Sequence, residues 1–256
     1  IFKGDEIEFP EDGYQGEDIK DLAKEYADLN GDSLVNVSAE ERKKALVDYA
    51  LPKNIKKMQA DMEKYKIFYD KWFFESELHK SGAVKAVVDL LTEKGLTYEK
   101  DGAVWYKNKE VLTQKLLKEG KSQKYIDNLE LKDDVLIRQN GNPTYFTADI
   151  AYHKNKFDRG FTTLIDVWGA DHHGHVMRMK GAMDAIGYDG DKLNVVLMQL
   201  VKLVKDGELV KMSKRTGKAI QLGDLLDEVP VDSARFLFNT KEANTQMDFD
   251  LDLAVS

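Results

Sequence analysis

Four stretches of the sequence carry residue types at spacings that can do chemistry. The first is Lys211-Met212-Ser213-Lys214-Arg215, followed by Thr216-Gly217. Lysines are flexible point charges suited to holding phosphate oxygens. Gly207 and Gly217 bracket the segment and leave it free to move, and a mobile cationic clamp can tighten as charge develops on a departing pyrophosphate. The second is Gly169-Ala170-Asp171-His172-His173-Gly174-His175, at a strand-to-helix junction of the kind where α/β sheets bind ligands. Three histidines and an acid invite a metal reading, but adjacent histidines diverge and Asp171 is the one carboxylate close by in sequence, so no metal site is assigned. The third runs from Arg138 through Asn140-Gly141-Asn142-Pro143, Tyr145 and Asp149 to His153. Thr147 is the candidate N-cap there, placing Asp149 in a first helical turn where the dipole favours an acid. A carboxylate beside Tyr145 at a sheet edge could also receive a guanidinium in a two-point hydrogen bond, and Asp149 with His153 could equally be an ordinary i, i+4 helix pair. The fourth, Asp28 to Asn36, begins like a calcium loop. Ser33 stands where that loop needs glycine and Ala39 where it needs glutamate, so it reads as a polar inter-helix loop.

The elements that must position these stretches follow from periodicity and punctuation. Helical patterning covers Glu17–Asp28 and Ala39–Lys66, with Pro52 expected to split the second stretch. The aromatic run Ile67–Glu75 reads as a strand, Ala83–Lys94 as an amphipathic helix ended by Gly95, and Leu96–Tyr106 as a strand pair turning at Asp101-Gly102. Residues 107–133 are charged and weakly patterned, a helix with a loop. Beyond them Val135–Arg138 and Thr144–Thr147 read as strands, Ala148–Phe157 as a helix and Thr162–Trp168 as a strand. Then come helix His175–Ile186, strand Leu193–Leu203, and helices Leu222–Glu228 and Val231–Lys241. Alternating apolar strands and helices predict an α/β fold with a parallel sheet.

Composition bounds the remaining choices. A chain of 256 residues with 10% aromatics can bury a core and is not disordered. It has no cysteine, which excludes a disulfide scaffold and thiolate-ligated zinc. The apolar run Val195 to Val204 is broken by Gln199 and Lys202 and falls short of the ~20 residues a membrane helix needs. With no signal peptide, the expectation is a soluble, cytoplasmic protein. A net charge of −8 argues against broad nucleic-acid binding. Residues 201–220, however, hold six basic against two acidic side chains, which points to one anionic ligand at one place.

In order and spacing these segments resemble arginyl-tRNA synthetase, a class I aminoacyl-tRNA synthetase. The resemblance rests on the KMSKR loop at Lys211–Arg215, on DVWGADHHGH, on IQLGDLLDEV, and above all on TYFTADIAYHKNKF, a block peculiar to the arginine enzyme within the class. It extends from about Tyr14 to Ser256 and is strongest over Val135–Asp252. It implies the second half of a Rossmann-type parallel sheet at residues 134–241, preceded by a helical and mixed α+β insertion at 1–133. Residues 242–256 would begin the connection to an anticodon-binding domain. It also implies L-arginine, ATP with Mg2+ as a substrate complex, and arginine-accepting tRNA as partners, with no tightly bound cofactor, no membrane and a monomeric state.

The site roles it implies fall into three groups. Lys211, Lys214 and Arg215 act on the pyrophosphate; Tyr145, Asp149 and His172 receive arginine; Gly169, Asp171, His175, Gln199, Val201, Met212 and Ser213 line the ATP site. Two departures from the family pattern stand out: Gln139-Asn140 replace a Ser-Asp pair after Arg138, and residues 107–133 are longer than the usual connection. His172–His175 also spells H-x-G-H, but its place just ahead of the KMSKR loop matches the later G-x-D-x-x-x-H loop instead. Because the chain opens at Ile1 without the earlier H-x-G-H segment, it is expected to be a central fragment that is inactive alone. Two alternatives are a stand-alone nucleotidylyltransferase using His172–His175 with Lys211–Arg215, and a non-catalytic synthetase-derived binding module.

Overall fold

The computed structural model describes residues 16–210 and 220–255. The chain forms two compact units that interleave in sequence. Among the described residues, one comprises 71–200 and 243–246, the other 16–70, 201–210, 220–242 and 247–255.

The 71–200 unit opens with helices Glu75–Lys80 and Ala83–Glu93. The second is amphipathic in the strict sense: Val84, Val87 and Leu91 share one face and are buried, and Gly95, at φ +70°, takes the left-handed backbone that ends the helix. An antiparallel meander follows, Thr97–Lys100, Ala103–Tyr106 and Asp134–Ile137. Its first turn puts Asp101 and Gly102 at φ +53° and +73°, the conformation a tight two-residue hairpin requires. The long excursion between the second and third strands holds helices Asn108–Lys118 and Gln123–Asp127.

The rest of this unit carries the candidate site. Helix Tyr145–Asp158 leads to strand Leu164–Gly169, a 3-10 turn at Ala170–His172, helix His173–Ile186 and strand Leu193–Met198. The two strands pair in parallel, in register from Leu164 with Leu193 to Gly169 with Met198. Leu164, Asp166 and Leu193 point inward, while Ile165, Val167, Val196 and Met198 lie exposed on the opposite face. The core gathers Val87, Leu91, Tyr106, Leu136, Phe146, Ile150, Met179 and Met183.

In the other unit, helices Glu17–Asn30 and Ala39–Lys64 meet through Tyr26 edge-on to Tyr49 at 5.1 Å and a Lys53–Glu25 ion pair of 2.5 Å. Ser38 and Glu41 close a reciprocal capping box at the start of the second helix. The loop from Gly31 to Val37 between these helices is the one that begins like a calcium loop. A three-stranded sheet sets Val201–Lys205 between the antiparallel Glu208–Leu209 and the parallel Met247–Asp250. Helices Leu222–Glu228, Val231–Phe238 and Leu251–Val255 complete the unit, over a core that includes Leu203, Leu225, Val229, Ala234 and Phe249.

Four expectations are corrected. Pro52 does not split its helix, which runs unbroken from Ala39 to Lys64; only one amide is lost, at an exposed position. Residues 67–74 form no strand, because no neighbouring strand pairs with them; Phe73 instead stacks on Tyr152 at 4.6 Å. The stretch 144–147 is a helix start, with Thr144 as N-cap, Thr147 inside, and Asp149 a turn deeper than expected. The single strand foreseen over 193–203 is two, Leu193–Met198 and Val201–Lys205, in separate sheets.

Candidate functional site

Thr144 fixes the geometry of the site helix. Its hydroxyl accepts from the Thr147 amide and donates to the Val135 carbonyl at 2.8 Å, so one side chain caps the helix and ties it to the preceding strand. Thr147 adds a second tie by donating to the Leu136 carbonyl at 2.8 Å. The helix therefore leaves the strand at a fixed angle, and Tyr145 and Asp149, one turn apart, sit on its open side. Tyr145 is 79% exposed, with the Arg138 guanidinium 5.9 Å from its ring centre. Arg138 is itself tied to the Pro143 carbonyl at 2.8 Å.

Asp149 faces the 164–175 segment. Its Oδ2 accepts from His175 Nε2 at 3.2 Å, and its side chain is 45% exposed against 17% for His175. The His175 ring rests on Trp168 at 5.2 Å and edge-on to Phe146 at 5.5 Å. Arg178 covers Phe146 at 4.7 Å and bonds to both carboxylate oxygens of Asp134. Burial pushes the Asp134 carboxyl up, and the Arg178 guanidinium only partly offsets it.

His153 does not pair with the Asp149 carboxylate. Its Nδ1 faces the Asp149 backbone carbonyl at 2.7 Å, and its Nε2 bonds to the Asp166 carboxylate. Asp166 also takes Lys156 Nζ at 2.6 Å. Burial alone would raise the Asp166 carboxyl, but the hydrogen bond from His153 and the ammonium of Lys156 outweigh it and hold it below the ordinary carboxylate value. Three polar side chains thus lock the site helix to the strand that delivers the Gly169–His175 segment.

At the strand end, Gly169 has the Asp171 carboxylate folded over it: a side chain there would meet Asp171 Oδ1 at 2.5 Å. His172 is exposed, 3.8 Å from Asp171 and 6.4 Å from the Trp168 ring centre. Of the H-x-G-H spelled by His172–His175, His175 pairs with Asp149 and His172 lies beside Asp171. Among the described residues no group of three His, Asp or Glu side chains could hold a metal, and no helix is long and apolar enough to cross a membrane. The Gln199 amide donates to the Ala243 carbonyl at 2.9 Å, and Val201 opens a strand of the other unit. Lys211, Met212, Ser213, Lys214 and Arg215 lie outside the described residues.

The structure thus joins Asp149 to His175 across 26 positions and brings Trp168, Gly169, Asp171 and His172 together. Sequence reasoning did not foresee Asp134, Phe146, Trp168, Arg178 or the Asp166 network. Asp166 alone left a legible signal, an acid alternating in phase with the inward Leu164 and Trp168.

Comparison with known proteins shows the family. The family model for the catalytic domain of class I tRNA synthetases of the arginine type, "tRNA synthetases class I (R), catalytic domain", matches residues 17–255. The chain is 52% identical over its whole length to the arginine–tRNA ligase of Ruminiclostridium cellulolyticum. It is 54% identical over 98% of its length to that of Caldanaerobacter subterraneus. It spans 43% and 42% of those relatives' own lengths. A crystal structure described as a putative arginyl-tRNA synthetase from Campylobacter jejuni superposes with a TM-score of 0.80 at 35% identity, covering 98% of this chain and 50% of that one. The arginyl-tRNA synthetase of Thermus thermophilus shares the fold, with a TM-score of 0.65 at 18% identity over 93% of this chain and 47% of that one. The mixed α/β chain belongs to the family of class I arginyl-tRNA synthetase catalytic domains.

Proposed function

We propose that the chain is part of the catalytic core of an arginine–tRNA ligase. In the first step a carboxylate oxygen of arginine attacks the α-phosphorus of Mg-ATP. The bond to the β-phosphate oxygen breaks, giving arginyl-adenylate and pyrophosphate. In the second, a terminal ribose hydroxyl of tRNA attacks the arginyl carbonyl and AMP departs. No protein nucleophile is needed; positioning and charge stabilisation carry the rate. Residues 134–241 would supply the second half of the nucleotide-binding sheet and residues 1–133 the insertion ahead of it, in a soluble, cytoplasmic enzyme acting as a monomer.

The observation that best supports this reading is the Asp149 carboxylate. It is half-exposed, one turn from the exposed Tyr145, and among the described residues bonded at one oxygen only. An open, pre-positioned carboxylate beside an aromatic face suits a guanidinium, which presents two parallel donors and a flat surface. Tyr145, Asp149 and His172 are assigned to arginine, and Gly169, Asp171, Gln199, Val201, Met212 and Ser213 to ATP. Lys211, Lys214 and Arg215 are assigned to the leaving pyrophosphate, with magnesium arriving on ATP.

In a full-length enzyme carrying these residues, Asp149→Ala is expected to lower kcat/KM for arginine by about 10- to 100-fold, the worth of a charge-assisted hydrogen bond or two. Lys214→Ala is expected to slow adenylate formation by about 100-fold. Arginine-dependent ATP–pyrophosphate exchange reads both, and unchanged kinetics in both variants would remove the assignment. A polypeptide of these 256 residues alone is expected not to charge tRNA, because the family's first H-x-G-H segment lies outside them.

A further inference from the structure

We propose that His175 is a positioning residue for arginine selection, holding the Asp149 carboxylate in the orientation that receives the guanidinium. The inference rests on the reading of Asp149 as the guanidinium acceptor, and it moves His175 from the adenosine side of the site, where the family resemblance puts it, to the arginine side.

Three observations carry it. A carboxylate can only accept, so the 3.2 Å contact has His175 Nε2 donating to Asp149 Oδ2. That leaves Oδ1 open to a ligand among the described residues. The donor is itself immobilised: its ring lies between Trp168 and Phe146, and Phe146 is backed by Arg178, which Asp134 grips with both oxygens. Finally, the Asp149 backbone is fixed separately by His153 Nδ1 at its carbonyl, so the side-chain torsions are the only freedom His175 has to remove. A half-exposed aspartate without such a partner samples several rotamers, and ordering it on binding weakens the ligand. A small misplacement of a recognition group weakens it further.

The test uses the full-length enzyme and ATP–pyrophosphate exchange, with KM measured separately for L-arginine and for ATP. His175→Phe keeps an aromatic ring against Trp168 and Phe146 and deletes the donor. It is expected to raise the KM for arginine about tenfold, the scale of one hydrogen bond, with the KM for ATP within twofold of the parent. His175→Gln restores a donor of comparable reach and is expected to recover most of the loss. Should the Phe variant fail to fold, His175→Asn, whose shorter amide cannot reach Asp149, carries the same expectation. In an Asp149→Asn background His175→Phe is expected to add less than twofold. A rise in the KM for ATP instead, or an unchanged KM for arginine in His175→Phe while Asp149→Asn raises it, would overturn the role of His175 alone. An unchanged KM for arginine in Asp149→Asn would bring down the Asp149 reading with it.

Discussion

Asp166 is 7% exposed on the inward face of its strand, and it is there because His153 and Lys156 meet it. A buried acid is tolerated only when paired and hydrogen-bonded, and removing one partner leaves an uncompensated charge. Asp166→Ala is therefore expected to destabilise the protein by about 3–5 kcal/mol in urea unfolding. The sign of its pH dependence follows from the lowered carboxyl. Asp166 contributes its full stabilisation above its unfolded value near 3.8 and loses it as pH falls through its lower folded value. Asp166→Asn should flatten the acid limb of the stability profile between those values; an unaltered limb would mean the network contributes nothing to folding. The sequence singles out Tyr145 and Asp149 because their block resembles a fixed family motif. It hid the Asp166 pairing, since a contact between a helix and the next strand leaves no local pattern. His175 shows the same limit: the resemblance singled out the residue but not the neighbour its ring would face.

At the scale of elements, most of the pattern was readable and the errors share a cause. Helix Ala83–Glu93 and the hairpin at Asp101-Gly102 follow from local rules alone. The start at Thr144 was missed because Thr144 and Thr147 are both good caps, and what decides is that the Thr144 hydroxyl also reaches the Val135 carbonyl. The break after Met198 was missed because a continuous apolar run carries no mark of where one sheet ends and another begins. Close approach between elements yields a further prediction. A side chain at Gly190 would fall on the Lys180 backbone carbonyl, which cannot turn away. One at Gly181 would meet side chains alone, the tightest contact being the end of Leu112 at 2.6 Å. Overpacking typically costs 1–3 kcal/mol, so Gly190→Ala should lie near or above about 3 kcal/mol and Gly181→Ala near about 1 kcal/mol in parallel denaturation curves. Equal losses would show that the Gly190 turn can shift.

At the scale of the whole molecule, the parallel pair Leu164–Gly169 and Leu193–Met198 is covered on one face only among the described residues. Ile165 and Val167 are 68% and 66% exposed on the other, beside Val196 and Met198. Parallel sheets are ordinarily covered on both faces. A polypeptide of these residues alone should therefore bind an apolar dye or self-associate, and Ile165→Thr with Val167→Thr should reduce both. Neither effect in the purified polypeptide would mean that the face is stable in water. Periodicity made this face readable only as alternate apolar residues, because its bareness belongs to the tertiary structure.

The central claim is arginine activation guided by Asp149. Its most direct test is ATP–pyrophosphate exchange by a full-length enzyme carrying these residues, run with L-arginine and with citrulline, whose neutral urea group has the same outline. Exchange that saturates with arginine, is absent with citrulline and falls at least tenfold in kcat/KM in Asp149→Asn is the predicted result. Exchange supported by citrulline or by another amino acid, or an Asp149→Asn enzyme as selective as the parent, would contradict it.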